Sequence, residues 1–263
     1  MSRFVTLSSG SSGNVSFLEY KGCRILIDAG FSGKKIENLL GQIGENPKDL
    51  DGIFITHEHN DHIQGAGVLS RRFDIPIYAN QGTWKGLTQK IKKLKEENIK
   101  VFKTNEFINF KSMDILPVAI HHDAMEPVAY VIYIGNKKLT ILSDTGIVDE
   151  KIAYEIKGSD IYYMEANHDL EALKMGPYPH NLKLRVMGNM GHLSNDQAAE
   201  ALADALVGKN ETVFLSHLSE TNNTPELSRL TVDNYLRSLG YDTKKDIDLE
   251  VCNRYEPSKI VEL

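Results

Sequence analysis

Three histidines and an aspartate fall within the six residues His57 to His62 of the stretch Thr56-His57-Glu58-His59-Asn60-Asp61-His62. Imidazole and carboxylate are the donors that borderline and hard divalent cations take, so this density points to metal chemistry rather than to a loop of solvated histidines. The stretch follows Gly52-Ile53-Phe54-Ile55, whose β-branched and aromatic residues read as a buried strand. If the chain stays extended beyond that strand, side chains two apart share a side, and His57 and His59 can hold one ion. Asp61 and His62 then face elsewhere and suit a second ion, with Asp61 near the start of the next helix, where an acidic residue is favoured.

Other polar groups stand where apolar runs end. Asp28 closes the run Cys23-Arg24-Ile25-Leu26-Ile27, His121-His122-Asp123 follows 115–120, Asp144 follows 139–142 and His217 follows 213–215. Between the predicted strands 3–7 and 15–20 lies Ser8-Ser9-Gly10-Ser11-Ser12-Gly13-Asn14. Its glycines permit positive φ, and Ser11 and Ser12 offer hydroxyls to a phosphate. A tight polar turn explains the same residues equally well, because no lysine follows the glycines as it does in a P-loop.

The elements that must position these groups follow from periodicity. Ser32 caps a helix running to about Gly41, with Ile36, Leu39, Leu40 and Ile43 on its apolar side. A second helix is expected from His62 to about Phe73, a strand over 75–79, and a helix from Gly82 to Asn98 carrying Lys85, Lys90, Lys92, Lys93 and Lys95. Ile91 and Leu94 give that last helix an inward side, so a solvated lysine face is the plainer reading and a platform for a phosphate backbone the sharper one. Strands dominate from Val101 to Ser143. Beyond that, helices are expected over 148–156, 195–206 and 225–239, with helical pieces through Arg185, and strands over 160–164, 213–215 and 248–251. Two echoes in the same order, 25–30 with 141–146 and 53–57 with 213–217, suggest a fold of related halves, each delivering an acid and then a histidine from strand ends.

Whole-chain quantities bound the answer. The 263 residues, 41% hydrophobic and 25% charged, fit a globular α/β protein, and no linker divides them, so a single domain over 1–263 is expected. The net charge of −6 does not advertise a nucleic-acid surface, although it leaves room for a local basic groove. No apolar segment is long enough for a signal peptide or a membrane span, which makes the cytoplasm the expected location. Cys23 and Cys252 stand outside any ligand spacing and are expected to be reduced and structural.

Collected in order, Asp28, His57, His59, Asp61, His62, His122, Asp144 and His217 resemble the metallo-β-lactamase superfamily. The resemblance implies an α/β fold, the four-layer αββα metallo-β-lactamase sandwich, with metals at one edge of its two sheets. It also implies that His57, His59 and His122 hold one divalent ion, that Asp61, His62 and His217 hold the other, that Asp144 bridges them, and that Asp28 orients the histidine loop through hydrogen bonds. His122 is preferred over His121 because His122-Asp123-Ala124 followed by Pro127-Val128-Ala129-Tyr130 matches the family order, with alanine in place of a glycine. Neither cysteine lies where the best-known β-lactamases place a cysteine ligand, which argues against antibiotic hydrolysis. An all-nitrogen-and-oxygen set accepts Zn2+, Mn2+ or iron.

Three further segments, Met164-Glu165-Ala166-Asn167-His168-Asp169, Gly191-His192-Leu193-Ser194-Asn195 and Leu215-Ser216-His217-Leu218-Ser219, occur in the order of three motifs of tRNA 3′-processing phosphodiesterases. With Asn222-Asn223-Thr224-Pro225-Glu226-Leu227 they also resemble the YycJ/WalJ group of bacterial exonuclease-like proteins. That resemblance implies a dinuclear phosphodiesterase, a 5′-to-3′ DNA exonuclease of DNA repair that uses a metal-activated water or hydroxide, with DNA or RNA as substrate partner. Asp61, Glu165 and His192 would be catalytic, the Glu165–His192 pair protonating the leaving oxygen, although a buried structural pair is the blander account. His168, Ser194 and Asn195 are candidates for substrate contact beside Ser11 and Ser12, with helix capping as the alternative for Ser194 and Asn195 and a surface or capping role for His168 and His180. Two rival functions share the ligand set, a lactone or thioester hydrolase and a metal-dependent regulatory protein without turnover.

Overall fold

Runs of β-branched and aromatic residues fold as strands wherever both of their faces can be covered, and here they build two mixed seven-stranded sheets. The computed structural model describes residues 2–263. In chain order the strands are β1 (Arg3–Ser8), β2 (Val15–Tyr20), β3 (Cys23–Ile27), β4 (Gly52–Phe54), β5 (Ile77–Asn80), β6 (Ile99–Phe102), β7 (Ile108–Phe110), β8 (Met113–Ala119), β9 (Val128–Ile134), β10 (Lys137–Leu142), β11 (Ile161–Glu165), β12 (Glu211–Ser216), β13 (Ile247–Val251) and β14 (Val261–Glu262). The sheets run β14-β1-β2-β3-β4-β5-β6 and β13-β12-β11-β10-β9-β8-β7. Their helices are α1 (Gly33–Gln42), α2 (Asn60–Ile63), α3 (Ala66–Phe73), α4 (Gln81–Lys90), α5 (Glu150–Ile156), α6 (Leu170–Met175), α7 (His180–Met187), α8 (Asn195–Ala205) and α9 (Pro225–Ser238). The α/β class with two helix-flanked sheets is the one the sequence implied.

By its internal contacts the chain forms two compact units, one comprising the chain up to Pro117 with Ala124–Val128 and Asn253–Leu263, the other Val118–Asp123 with Ala129–Cys252. In the first unit β1, β2 and β3 pair antiparallel, while β3 to β6 run parallel. Leu26, Ile53 and Ile77 of those strands share a core with Ile36, Leu39 and Leu40 of α1 and Leu69 of α3. In the second unit β10, β11, β12 and β13 are parallel. Parallel strands deliver their C-terminal ends to one edge, where open α/β sheets place ligands. Asp28 and the Thr56–His62 stretch lie at such ends in the first unit, and Asp144, Glu165 and His217 lie at such ends in the second. Among the described residues no helix is long and apolar enough to cross a membrane.

Three element boundaries differ from expectation. The helix expected from His62 to Phe73 is two, α2 and α3, split at Gln64-Gly65, because the chain presses against Phe31 there and a Cβ on Gly65 would collide with the Phe31 carbonyl. The helix expected through Asn98 stops at Lys90. Ile91 leaves helical geometry at φ −103° and ψ 147°. This lets Ile91 pack on the core and Leu94 bury within it, while Arg71 donates to the Lys92 carbonyl. The short strand β14 was not anticipated. It is only two residues long and pairs with β1, far away in sequence.

Candidate metal centre

In the first unit the histidine-rich stretch Thr56 to His62 is held by Asp28. This residue ends β3 in the left-handed region, at φ 61°, a conformation costly for a non-glycine and common where backbone is shaped for function. The turn points its carboxylate under Thr56 and His62. It accepts from the Thr56 N–H at 2.9 Å, from the Thr56 hydroxyl at 2.9 Å and from His62 Nδ1 at 2.7 Å. Burial pushes the Asp28 carboxyl above the usual carboxylate range, and the contacts to His62 and Thr56 draw it back down.

These bonds decide which ring nitrogens face outward. His62 donates through Nδ1 to Asp28, which puts its lone pair on Nε2, where the Asn14 amide meets it at 3.0 Å. Thr56 gives its one hydroxyl proton to Asp28, so at 3.0 Å it accepts from His57 Nδ1, which leaves the lone pair of His57 on Nε2 as well. The rings of His57 and His59 lie 4.6 Å apart, and those of His57 and His62 4.1 Å apart. His57 and His62 are buried, while His59 and Asp61 are half-buried. Glu58, between the first two histidines, turns the other way: its Oε1 accepts from the Met125 N–H, and Lys90 Nζ donates to its carbonyl at 2.8 Å. Gly86 in α4 makes the space, since a Cβ there would run into the Glu58 side chain.

Asn14, whose part in the site sequence reasoning missed, ties the Ser/Gly loop to this stretch. Its N–H donates to the Asp61 carbonyl at 2.8 Å, its Nδ2 lies 3.0 Å from His62 Nε2, and its Oδ1 accepts from Gly10. Gly30 permits the approach, because a Cβ there would collide with the Asp61 carbonyl. The available signal was the Gly13-Asn14 turn pair, which reads as loop chemistry and says nothing of a histidine far along the chain.

The second unit repeats the device. Asp144 and His217 leave their strands in the left-handed region, at φ 57° and 52°, and His217 Nδ1 lies 2.8 Å from Asp144 Oδ2. As Asp28 does for His62, an aspartate after a strand takes a histidine Nδ1. The echo in the sequence had aligned His57 rather than His62 with His217. His122 places Nδ1 3.2 Å from the Gly191 carbonyl and Nε2 3.8 Å from Asp144 Oδ1. Its neighbour His121 instead meets Asp149, the N-cap of α5, at 2.7 Å.

His192 Nδ1 lies 2.7 Å from Glu165 Oε1, and Glu165 Oε2 accepts from the N–H groups of Thr145 and Leu193 at 3.1 and 3.3 Å. Glu165 is fully buried and His192 half-exposed, so the carboxylate is fixed and the imidazole keeps an open edge. Asp144, Glu165, His192 and His217 each offer a donor atom within 4.8 Å of the others.

The remaining candidates are placed as follows. Ser194 caps α8 in a reciprocal box with Gln197. Asn195 is buried and exchanges two amide hydrogen bonds with Asn223, at 3.1 and 2.8 Å. His168 is buried, its Nδ1 has no hydrogen-bond partner among the described residues, and burial lowers its pKa to about 4. His180 is exposed at the start of α7 and Ser11 is exposed on its loop, while the Ser12 hydroxyl lies 3.3 Å from that of Tyr255. Lys85, Lys90, Lys92, Lys93 and Lys95 are all exposed. The donors gathered in each unit are nitrogen and oxygen only, since Cys23 and Cys252 are buried free thiols. Such a donor set suits Zn2+, Mn2+ or iron.

The family model of the metallo-β-lactamase superfamily matches residues 9–217. The chain is 37% identical over 257 residues to the exodeoxyribonuclease YycJ of Bacillus anthracis, covering 98% of this chain and 97% of that one. It is 40% identical over 255 residues to the exodeoxyribonuclease WalJ of Streptococcus pneumoniae, covering 93% and 95%. Among solved structures, the metallo-β-lactamase fold protein YhfI from Bacillus subtilis superposes over 100% of both chains with a TM-score of 0.73 at 16% identity.

Proposed function

The chain belongs to the metallo-β-lactamase superfamily, and from that premise we propose that it is a dinuclear metal-dependent phosphodiesterase, a 5′-to-3′ exodeoxyribonuclease. In this reading His57, His59 and His122 hold one Zn2+ or Mn2+, Asp61, His62 and His217 hold the other, and Asp144 serves both. The outward lone pairs fixed by Asp28 and Thr56 support the assignment, as does the exclusively nitrogen and oxygen donor chemistry. Bound divalent ions would supply a water deprotonated near neutral pH and neutralise charge on the phosphodiester.

The observation that carries the choice of reaction is the 2.7 Å pair between His192 Nδ1 and Glu165 Oε1. A phosphodiester releases an alkoxide, which needs a proton as the bond to phosphorus breaks. His192 holds that proton on Nε2, and Glu165 stabilises the imidazolium and fixes its ring. Two backbone N–H groups on the other carboxylate oxygen keep Glu165 in place. The substrate is read from the two exodeoxyribonucleases that share 37% and 40% of their residues with nearly the whole chain. The same reading treats 1–263 as one functional domain and places it in the cytoplasm, trimming DNA ends during repair.

The test is purified protein with Mn2+ or Zn2+, offered 5′-labelled single-stranded and duplex DNA, RNA, bis-p-nitrophenyl phosphate and a lactone. We expect release of nucleotides from the 5′ end of DNA, abolished in Asp61→Ala. His192→Ala should lower turnover roughly 100- to 10,000-fold while the protein keeps its metal. Lactone turnover without nuclease activity would overturn the reading.

A further inference from the structure

Next to Asp61 the first unit carries an open, polar cavity of about 420 Å3, whose lining includes Ser11, Ser12, Asn60, Asp61, Gln64 and Lys90. Its walls are held in place. The Ser/Gly loop is tied on one side by Asn14 to the Asp61 carbonyl, and on the other by Ser9 N–H to the Asn253 carbonyl and by the Ser8 hydroxyl to the Arg254 carbonyl. Lys90, the last residue of α4, uses one N–H on the Glu58 carbonyl at 2.8 Å, which holds its ammonium at the cavity with two donors to spare.

The rim beyond Ser12 has a second chemistry. Tyr255, 48% exposed, meets Ser12 through its hydroxyl. The Lys35 ammonium lies 3.4 Å from the Phe31 ring centroid and 4.4 Å from that of Tyr255. Hydroxyls, amides and one ammonium suit a sugar and phosphate, and an exposed aromatic beside a cation suits a base that has left its stack. The volume is at the small end of the roughly 300–1,000 Å3 of small-ligand sites, which fits a single nucleotide.

Resting on the phosphodiesterase reading, we propose that this cavity is the subsite for the nucleotide adjoining the bond to be cleaved in single-stranded nucleic acid. Ser11, Ser12, Gln64 and Lys90 bind its phosphate and sugar, and Tyr255 receives a base. The proposal explains why the Ser/Gly loop is fastened at both ends. It also gives the lysine that ends α4 a task distinct from that of the solvated lysines beyond it.

Ser11 tests this well, because it is exposed and outside the left-handed region, so either charge can be placed there without disturbing the backbone. The intact protein with Mn2+ is titrated into fluorescein-labelled single-stranded oligodeoxynucleotide with phosphorothioate linkages, its ribonucleotide counterpart and the duplex, at several salt concentrations. We expect Ser11→Glu to weaken and Ser11→Lys to tighten single-strand binding, each roughly 3- to 10-fold. Lys90→Ala should weaken it similarly and flatten the salt slope by about 0.7, and Tyr255→Ala should weaken it with the slope unchanged. Tighter binding of the deoxyribose strand agrees with the exodeoxyribonuclease reading, whereas a ribose preference that Ser11→Glu weakens would keep the subsite and overturn the choice of DNA. Ser11 variants of opposite charge that shift binding the same way, or not at all, overturn the subsite. If the unmodified protein still trims DNA in that case, the nuclease reading survives alone. If it binds none of the three nucleic acids and cleaves no phosphodiester, both readings fall.

Discussion

Asp28 acts on two candidate ligands of the first unit at once, because one carboxylate sets the ring orientation of His62 and, through Thr56, that of His57. Replacing it with asparagine keeps the shape but puts an amide where His62 needs an acceptor for Nδ1–H. Asp28→Asn should therefore lower affinity for Zn2+ or Mn2+ roughly 10- to 100-fold, as measured by competition with a chromogenic chelator, and unchanged affinity would remove Asp28 from this role. His168 offers a test by pH. Burial holds its pKa at about 4, below the roughly 6.5 of an unfolded histidine. The unfolded chain thus binds more protons between those values, and stability falls as pH drops from about 6.5 to about 4, by about 3 kcal/mol. Urea unfolding of the chelated protein should show that loss, and His168→Gln should reduce the slope in that window. At this scale the sequence was most readable for residues that cluster, such as His57, His59, Asp61 and His62. It was least readable for Asn14 and Thr56, whose work depends on partners that only the fold brings near.

Local signals located elements well where the chain obeyed its own periodicity. Ser32 does cap α1, accepting from the Lys35 N–H, and Ser194 and Gln197 close a capping box at α8. Ser194→Ala should cost about 0.5–2 kcal/mol in urea unfolding, and a neutral result would mean that the box is redundant with the packing of α8. Tertiary demands moved the boundaries that were misread. Nothing between Lys90 and Asn98 looks like a helix stop, yet α4 ends because Ile91 and Leu94 gain more by entering the core than the helix gains by continuing. Gly30 is the tightest point of this kind. Gly30→Ala forces Cβ against the Asp61 carbonyl and should destabilise the protein by about 1–3 kcal/mol. It should also shift the Asp61–His62 ligands enough to lower metal content, and wild-type levels of both stability and metal would show that the loop can move aside.

For the whole molecule, the fold class was legible through the family that the ordered set Asp28 to His217 resembles, a set whose members stand at or shortly after the ends of apolar runs. What the sequence could not show was that the chain folds as two compact units and that residues 253–263 belong with the first. Metal should stabilise the assembled protein by linkage. At ion concentrations about 100 times the dissociation constant the gain is about 2.7 kcal/mol, so chelation should lower the melting temperature by about 5–10 °C. Asp61→Ala, which in this reading removes a ligand of one ion only, should show a smaller chelation shift than the unmodified protein, and an undiminished shift in that variant would mean that Asp61 holds no ion. The pairing of β1 with β14, at Arg3↔Glu262 and Phe4↔Val261, has a consequence for biosynthesis. The histidine stretch leaves the ribosome early, but the strand that covers β1 and the Asn253 and Arg254 carbonyls that clasp the Ser/Gly loop are made some 200 residues later. At translation speeds of about 5–20 residues per second, the nascent chain waits at least about ten seconds with that edge uncovered. The Ser/Gly loop acquires its clasp only when residues 253–263 emerge, so in the nascent chain it is held from the Asn14 side alone.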